Sequence, residues 1–309
     1  MEIFITGATG VLGRPVLHQL IEQGHQVRAL ARSAQNVALV RKLGATAVLG
    51  GLWQREQLYD QMHGCEAVLH LATKIPSSSS ISKRPAWAEN DHIRREGTQN
   101  IVQAALAGTI QTVMYPSICF VYPDSADRWL DATTAVPVIA DYYQSTFDAE
   151  AEVQHFTDAG RRGIVLRMGF FYGPTSPQSQ EQLRYARWGI ATTQGQAAAH
   201  HPFITIADAA RAVVVALAHA PTGIYDITED EPPTTATINK AMATAVGKHR
   251  IYTLPGFLMR QMMGREINNA MSRSQRVSNR RFKDATGWQP QNTCDTGWMS
   301  VAAARRGAQ

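Results

Sequence analysis

The spacing of apolar residues changes period several times along the first thirty positions. Ile3, Phe4 and Ile5 form a continuous apolar run, a glycine-rich turn follows, and Val11, Leu12, Val16, Leu17, Leu20 and Ile21 then recur at helical spacing until Gly24. Residues 25–32, HQVRALAR, read as a second strand, so the chain opens with a β-turn-α-β unit. The rhythm continues with a helix over 36–43, a strand over 45–49, a helix over 54–62 and a strand over 67–71. A helix over 88–107, a strand over 112–115, a helix over 143–160 and a strand over 163–168 follow. Strands alternating with helices predict a parallel sheet covered on both faces.

After Gly173 and Pro174 the pattern loosens into a polar stretch, then tightens into HPFITIADAARAVVVALAHAP, an extended segment leading to a helix capped by Asp208. GIYDIT, residues 223–228, reads as one more strand. A Pro-Pro break, a helix over 237–246 and a basic, Met-rich stretch over 254–281 come next. The expected fold is α/β: a Rossmann-type doubly wound parallel sheet with a small, mostly helical C-terminal lobe. The nucleotide-binding domain is assigned to 1–168, completed by about 202–228, and the substrate lobe to 169–201 and 229–309. Ser77 to Ser80, flanked by Lys74, Lys83 and Arg84, reads as a loop able to act as a lid.

Composition narrows the class without naming a function. With 44% hydrophobic and 18% charged residues the chain has the makings of a packed core, which excludes wholesale disorder. No run of 18 apolar residues is present and MEIFITGATG enters a strand directly, so a soluble, unprocessed, cytoplasmic protein is expected, with no membrane partner. Cys65, Cys119 and Cys294 are widely spaced, which argues against a disulfide framework or a structural metal. The net charge of +5 admits nucleic acid or an anionic small ligand. No basic face interleaved with aromatic residues supports nucleic acid.

The glycine-rich turn, TGATGVLG over 6–13, carries the first chemistry. Gly7 permits the tight turn, Gly10 admits a pyrophosphate close to the backbone, and Gly13 lets the helix pack against the sheet. The helix's first amides and its dipole then favour phosphate. A ribose-reading carboxylate would be expected about 20 residues further on. The chain offers Arg28, Arg32 and Ser33 there, and no acid before Glu56. Arg32 can pair with a 2′-phosphate, so NADP(H) is favoured over NAD(H).

Taken together, TGATGVLG, VLHLAT at 68–73, REGTQNIVQAA, SICFVYP, YQSTFDAE, VLRMGFFYGP, FITIADAARAV and RRFKDATGWQP resemble the short-chain dehydrogenase/reductase superfamily. The resemblance is to its extended or atypical branch, the epimerase/dehydratase-like proteins, and covers nearly the whole chain. It implies cofactor contacts from Gly7, Thr9, Gly10, Val11, Leu12 and Gly13, and from Arg32 and Ser33. Gly51 and Leu52 would meet the adenine, although the aspartate of the family's GDL segment is Gly50-Gly51-Leu52 here. Leu71, Ala72 and Thr73 would follow, with Tyr143, Met168 and Phe170 at the nicotinamide end.

The implied catalytic set departs from the family pattern. Tyr143 stands at the proton-transferring tyrosine, but Phe147 replaces the lysine four residues on, and Ile118 occupies the usual serine position with Ser117 one residue earlier. An unperturbed tyrosine has a pKa of about 10, so Tyr143 without a cation is a proton donor and a poor base. Arg94 replaces the family's helix asparagine, either as a relocated charge or as a surface residue, and Lys74 is a further candidate cation. His70 reads as a packed residue beneath the cofactor, and His200-His201 as a pair without the spacing of a metal site. Phe170, Phe171, Tyr172, Tyr185, Trp188, Phe203, Met259, Met262 and Met263 suggest an apolar substrate pocket, and Arg260 to Arg281 a basic surface on the lobe. The resemblance implies an NADP-dependent oxidoreductase acting on a small, fairly apolar carbonyl, hydroxyl or enone compound, with a homodimer as an open possibility. Its alternatives are a cofactor-binding regulatory or scaffold protein without turnover, and a non-redox isomerase, dehydratase or cyclase.

Overall fold

The computed structural model describes residues 1–77, 80–136, 143–254, 261 and 264–306. The first-half elements are β1 (Glu2–Thr6), α1 (Gly13–Glu22), β2 (Gln26–Ala31), α2 (Ala34–Lys42), β3 (Thr46–Leu49), α3 (Arg55–Met62) and β4 (Ala67–His70). Then come α4 (Ala88–His92), α5 (Thr98–Ala107), β5 (Thr112–Ile118), the short β6 (Trp129–Leu130), α6 (Gln144–Asp158) and β7 (Arg162–Met168). Strands β1, β4, β5 and β7 are buried on both faces, which is why their sequences are almost unbroken apolar runs.

The second half contributes β8 (Phe170–Tyr172), α7 (Pro177–Arg187), β9 (Ile190–Ala191), β10 (Phe203–Thr205), α8 (Ile206–His219) and β11 (Gly223–Ile227). It closes with α9 (Thr235–Ala245), β12 (Tyr252–Thr253), α10 (Arg265–Met271), β13 (Arg276–Val277), α11 (Arg280–Thr286) and α12 (Cys294–Arg306). Seven strands form one parallel sheet in the order β11-β7-β5-β4-β1-β2-β3. The chain reverses direction across the sheet between β1 and β4, and such a switch point opens a ligand crevice at the carboxyl ends of the strands.

Two cores flank the sheet. Val16, Leu17 and Leu20 of α1 meet Val213, Val214 and Leu217 of α8 on one face, while Leu58 of α3, Ile101 of α5 and Phe156 of α6 cover the other. A third core lies in the lobe around Tyr172, Leu183, Ile238, Met242 and Trp298. Among the described residues no helix is long and apolar enough to cross a membrane.

Several elements differ from the sequence reading for identifiable reasons. The helix expected over 88–107 is divided by a π-type turn, Ile93–Gly97, between α4 and α5. Leu52 presses against it so closely that a Cβ on Gly97 would stand 3.1 Å from Leu52 Cδ1. β5 continues past Tyr115 through Pro116 to Ile118, because β4 has ended opposite Met114 and only β7 remains as a neighbour. Asp208 is not the cap of α8: Thr205 is, its Oγ1 accepting from the Asp208 amide at 3.1 Å. The buried Asp208 carboxylate instead accepts from Arg211 at 2.6 Å and from the Gln291 and Asn292 amides at 3.0 Å, pinning the C-terminal segment to α8.

The lobe core contains a buried acid. Tyr172 Oη lies 2.6 Å from Glu229 Oε1 and 3.1 Å from the Thr293 carbonyl, and burial pushes the Glu229 carboxyl up to about 8. The Tyr172 hydroxyl is the donor towards both oxygens. Burial likewise raises Asp226 to about 7. Stability from such raised carboxyls is complete below their ordinary range and is lost as pH climbs through the folded values. The melting temperature is therefore expected to fall between about pH 4 and about pH 8, and to fall less in Glu229→Gln. A Glu229→Gln protein with the wild-type slope would contradict this.

Candidate active site

The glycine turn lies at the carboxyl end of β1. Gly7 has φ of 71°, and a Cβ there would stand 2.6 Å from the Leu71 and Ala72 backbone; on Gly13 a Cβ would stand 2.0 Å from the Gly7 carbonyl. Side chains at either place are incompatible with the turn. The Gly10 amide closes on Gly7 O at 2.9 Å, and the next turn begins with Arg14 N on Gly10 O at 3.1 Å. This leaves the amides of Val11, Leu12 and Gly13 without partners among the described residues. The first turn of α1 also holds no acid and no side-chain cap. Three free amides at a positive helix end fit a pyrophosphate. Leu12 is buried beneath the turn, Val11 is exposed, and the Thr9 carbonyl accepts from Arg14 Nε at 2.8 Å.

At the end of β2, Arg32 is 59% exposed and, among the described residues, pairs with Glu89 on α4 at 3.2 Å. An exposed pair of this kind is weak and can yield to a stronger anion. Ser33 caps α2, its Oγ accepting from Asn36 N at 3.3 Å. Arg28 is elsewhere: it bonds Glu2 and the carbonyls of Gln61 and His63 at the C-terminus of α3, so it does not stand at the phosphate end. A Cβ on Gly51 would meet only ordinary contacts, Gln54 Oε1 at 3.6 Å and Trp53 Cδ1 at 3.8 Å; Leu52 is buried, and the exposed Trp53 ring lies 4.0 Å from His92 on α4. Leu71 N bonds Thr6 O at 3.2 Å, Ala72 N bonds Thr6 Oγ1 at 3.3 Å, and Thr73 is exposed on the crevice segment that follows. His70 is fully buried, with Nδ1 2.7 Å from Thr6 Oγ1, and burial lowers its pKa to about 4, so it is neutral.

The chemistry-bearing end lies over β5 and β7. Tyr143 precedes α6; burial raises its phenol above the ordinary value, and the opposing charges of Arg273 and Arg94 do not cancel that effect. Arg94 is not a surface residue: it is 3% exposed in the π-type turn and donates to Thr146 Oγ1 at 2.6 Å. Lys74 is exposed, its amide held by Asn90 Oδ1 at 3.1 Å. Phe147, one turn along α6, lines a cavity of about 280 Å³ with Val153, Val165 and Ile224. Met168 is buried opposite Ile118, and the Phe170 ring stacks on Phe120 at 3.8 Å, with Phe203 at 5.5 Å.

Ser117 belongs to a buried polar row. The register aligns Ser117 with Arg167 and Arg167 with Asp226 across β5, β7 and β11. Ser117 Oγ donates to the Glu150 carboxylate, and Arg167 grips that carboxylate through Nε at 3.0 Å and Nη2 at 2.7 Å. Arg167 Nη1 reaches Tyr122 Oη at 3.0 Å, and Tyr122 donates to Asp226 at 2.8 Å. This row underlies the strand ends and fixes α6, and with it Tyr143.

Sequence reasoning missed Arg273 and the Glu150–Arg167–Asp226 row. The basic stretch containing Arg273 was visible, but which of its arginines turns inward depends on how the lobe docks. Arg276 lies over Trp129 at 4.2 Å and pairs with Asp127 and Glu231. Trp188 is 66% exposed at the end of α7, and Met259, Arg260, Met262 and Met263 lie outside the described residues. His200 Nδ1 lies 2.9 Å from the Pro232 carbonyl and His201 Nε2 lies 2.8 Å from Thr235 Oγ1, and no metal-holding cluster occurs among the described residues.

Residues 3–228 match the model of the NAD dependent epimerase/dehydratase family. A "3-diazoavenalumate denitrifying reductase" of a Streptomyces species is 28% identical over 298 residues, covering 94% of this chain and 96% of that protein. A "4-hydroxy-2-methyl-3-oxo-4-farnesyl-3,4-dihydroquinoline-1-oxide ketoreductase" of Stigmatella aurantiaca is 31% identical over 195 residues, 61% of this chain and 57% of that one. In fold, the chain superposes on a human epimerase family protein determined with NADPH at a TM-score of 0.83, with 20% identity and 98% and 99% of the two chains covered.

Proposed function

Because the chain belongs to the NAD-dependent epimerase/dehydratase family, we propose that it is an NADP-dependent reductase of a small, fairly apolar carbonyl or enone compound, with Tyr143 as proton donor. The observation that carries this reading is Tyr143 itself, a partly buried phenol at the head of α6 whose proton burial makes still harder to lose. A neutral phenol suits reduction, in which the substrate oxygen gains a proton, better than oxidation, in which a base is needed. Bound NADPH supplies the hydride. The Val11, Leu12 and Gly13 amides hold its pyrophosphate, and Arg32 with Ser33 receives the 2′-phosphate in place of Glu89. Full-length similarity to a protein named as a reductase supports the direction.

Arg32→Ala is expected to weaken NADPH by about ten- to hundredfold and leave NADH nearly unchanged, since a charge-assisted hydrogen bond is worth about 1.5–3 kcal/mol. Equal weakening of both cofactors in a fluorescence titration would count against the 2′-phosphate assignment. The reading as a whole is tested by NADPH oxidation across a panel of ketones, aldehydes and enones. Turnover supports it, and cofactor binding without turnover of any compound favours a regulatory role, the reading that Phe147 at the lysine position supports.

A further inference from the structure

Most part-buried arginines in this chain have fixed partners: Arg167 has Glu150, Arg28 has Glu2, Arg211 has Asp208, and Arg161 has the Ala105 and Ile110 carbonyls. Arg94 and Arg273 do not follow this pattern. Arg94 is almost wholly buried, yet among the described residues its hydrogen bond goes to the neutral Thr146 hydroxyl, its Nε has no partner, and no carboxylate lies within ion-pair range. Among the described residues Arg273 also lacks a carboxylate, and its guanidinium meets the Tyr122 carbonyl at 3.4 Å. A buried guanidinium left without an anion is costly to keep.

Arg273 is nevertheless held firmly. Ser274 N donates to Asp124 at 3.2 Å, Ser125 N donates to Ser274 O at 2.8 Å, and Gln275 Nε2 donates to Tyr122 O at 2.5 Å. These bonds fasten the lobe segment onto the loop that follows β5. One arginine thus comes from the π-type turn, where it holds Thr146, whose amide bonds the Tyr143 carbonyl at 2.9 Å, and the other comes from the lobe, where it reaches the Tyr122 carbonyl on the loop after β5. The Phe120 and Phe170 rings form an apolar wall at the same strand ends.

We infer that Arg94 and Arg273 together receive a carboxylate carried by the substrate, whose apolar body lies against Phe120 and Phe170. A guanidinium presents a planar pair of donors that matches a carboxylate, and an incoming carboxylate supplies the anion that the protein omits. The assignment rests on the reductase reading of this edge and adds a substrate class to it: aryl or alkenyl monocarboxylic acids.

The test uses the full-length protein saturated with NADP⁺, its cofactor affinity measured first in the same calorimeter. Benzoate and cinnamate are then titrated beside their methyl esters and phenyl phosphate. At least one acid is expected to bind about tenfold or more tightly than its ester. Arg273→Gln removes that preference, Arg273→Lys retains part of it, and both keep the wild-type affinity for NADP⁺. Acid and ester binding alike, no acid binding, a preference that survives Arg273→Gln, or stronger binding of phenyl phosphate would each overturn the assignment. Failure of NADP⁺ itself to bind sinks the reductase reading instead, and is seen before any acid is added.

Discussion

Tyr143→Phe is expected to lower turnover by about 10²–10⁴-fold, the usual contribution of a positioned general acid, while NADPH binding is largely retained because the pyrophosphate and 2′-phosphate contacts come from the glycine turn and Arg32. The loss belongs in the maximal rate rather than in substrate affinity, since the proton moves only as the bond forms. With burial raising the phenol above its ordinary value, the wild-type reductive rate should show no loss up to about pH 9 from deprotonation of this group. Unchanged turnover in Tyr143→Phe would remove the residue from the mechanism.

The second large effect is structural. Arg167→Met is expected to cost about 3–5 kcal/mol of stability in urea unfolding, because it strands the Glu150 carboxylate in a buried site. Arg167 is 6% exposed and Glu150 8%, and the pair is joined by two hydrogen bonds. Adding Glu150→Gln to Arg167→Met should recover part of that loss, since the stranded charge is then gone. A single variant that loses under about 1 kcal/mol would mean that water reaches the row and that it does not hold α6.

These two groups differ in how far the sequence announced them. Tyr143 follows from a local motif, and the β1–turn–α1–β2 unit from local periodicity and glycine placement, so both were legible in order. The Arg167 row was not, because it joins β5, α6, β7 and β11, and the 59 residues from Arg167 to Asp226 hide a register that only the assembled sheet defines. Arg94 was ambiguous for a related reason: the π-type turn changes which helix positions face inward, and no spacing rule based on a regular helix can place it. Arg28 misled because its position along β2, opposite Phe4 and Thr46, puts it near the opposite end of the sheet from Arg32. Thr205 and Asp208 form a reciprocal cap in which either residue alone resembles the cap in sequence. Local elements were therefore visible early, and contacts across elements were visible only in the fold.

The central claim is that the turn at Gly7 to Gly13, with Arg32 beyond it, is a working NADP(H) site. Titration of the purified protein with NADPH and with NADH, followed by nicotinamide fluorescence, tests it most directly. NADPH is expected to bind saturably, at least about tenfold tighter than NADH. Absence of binding by either dinucleotide would contradict it.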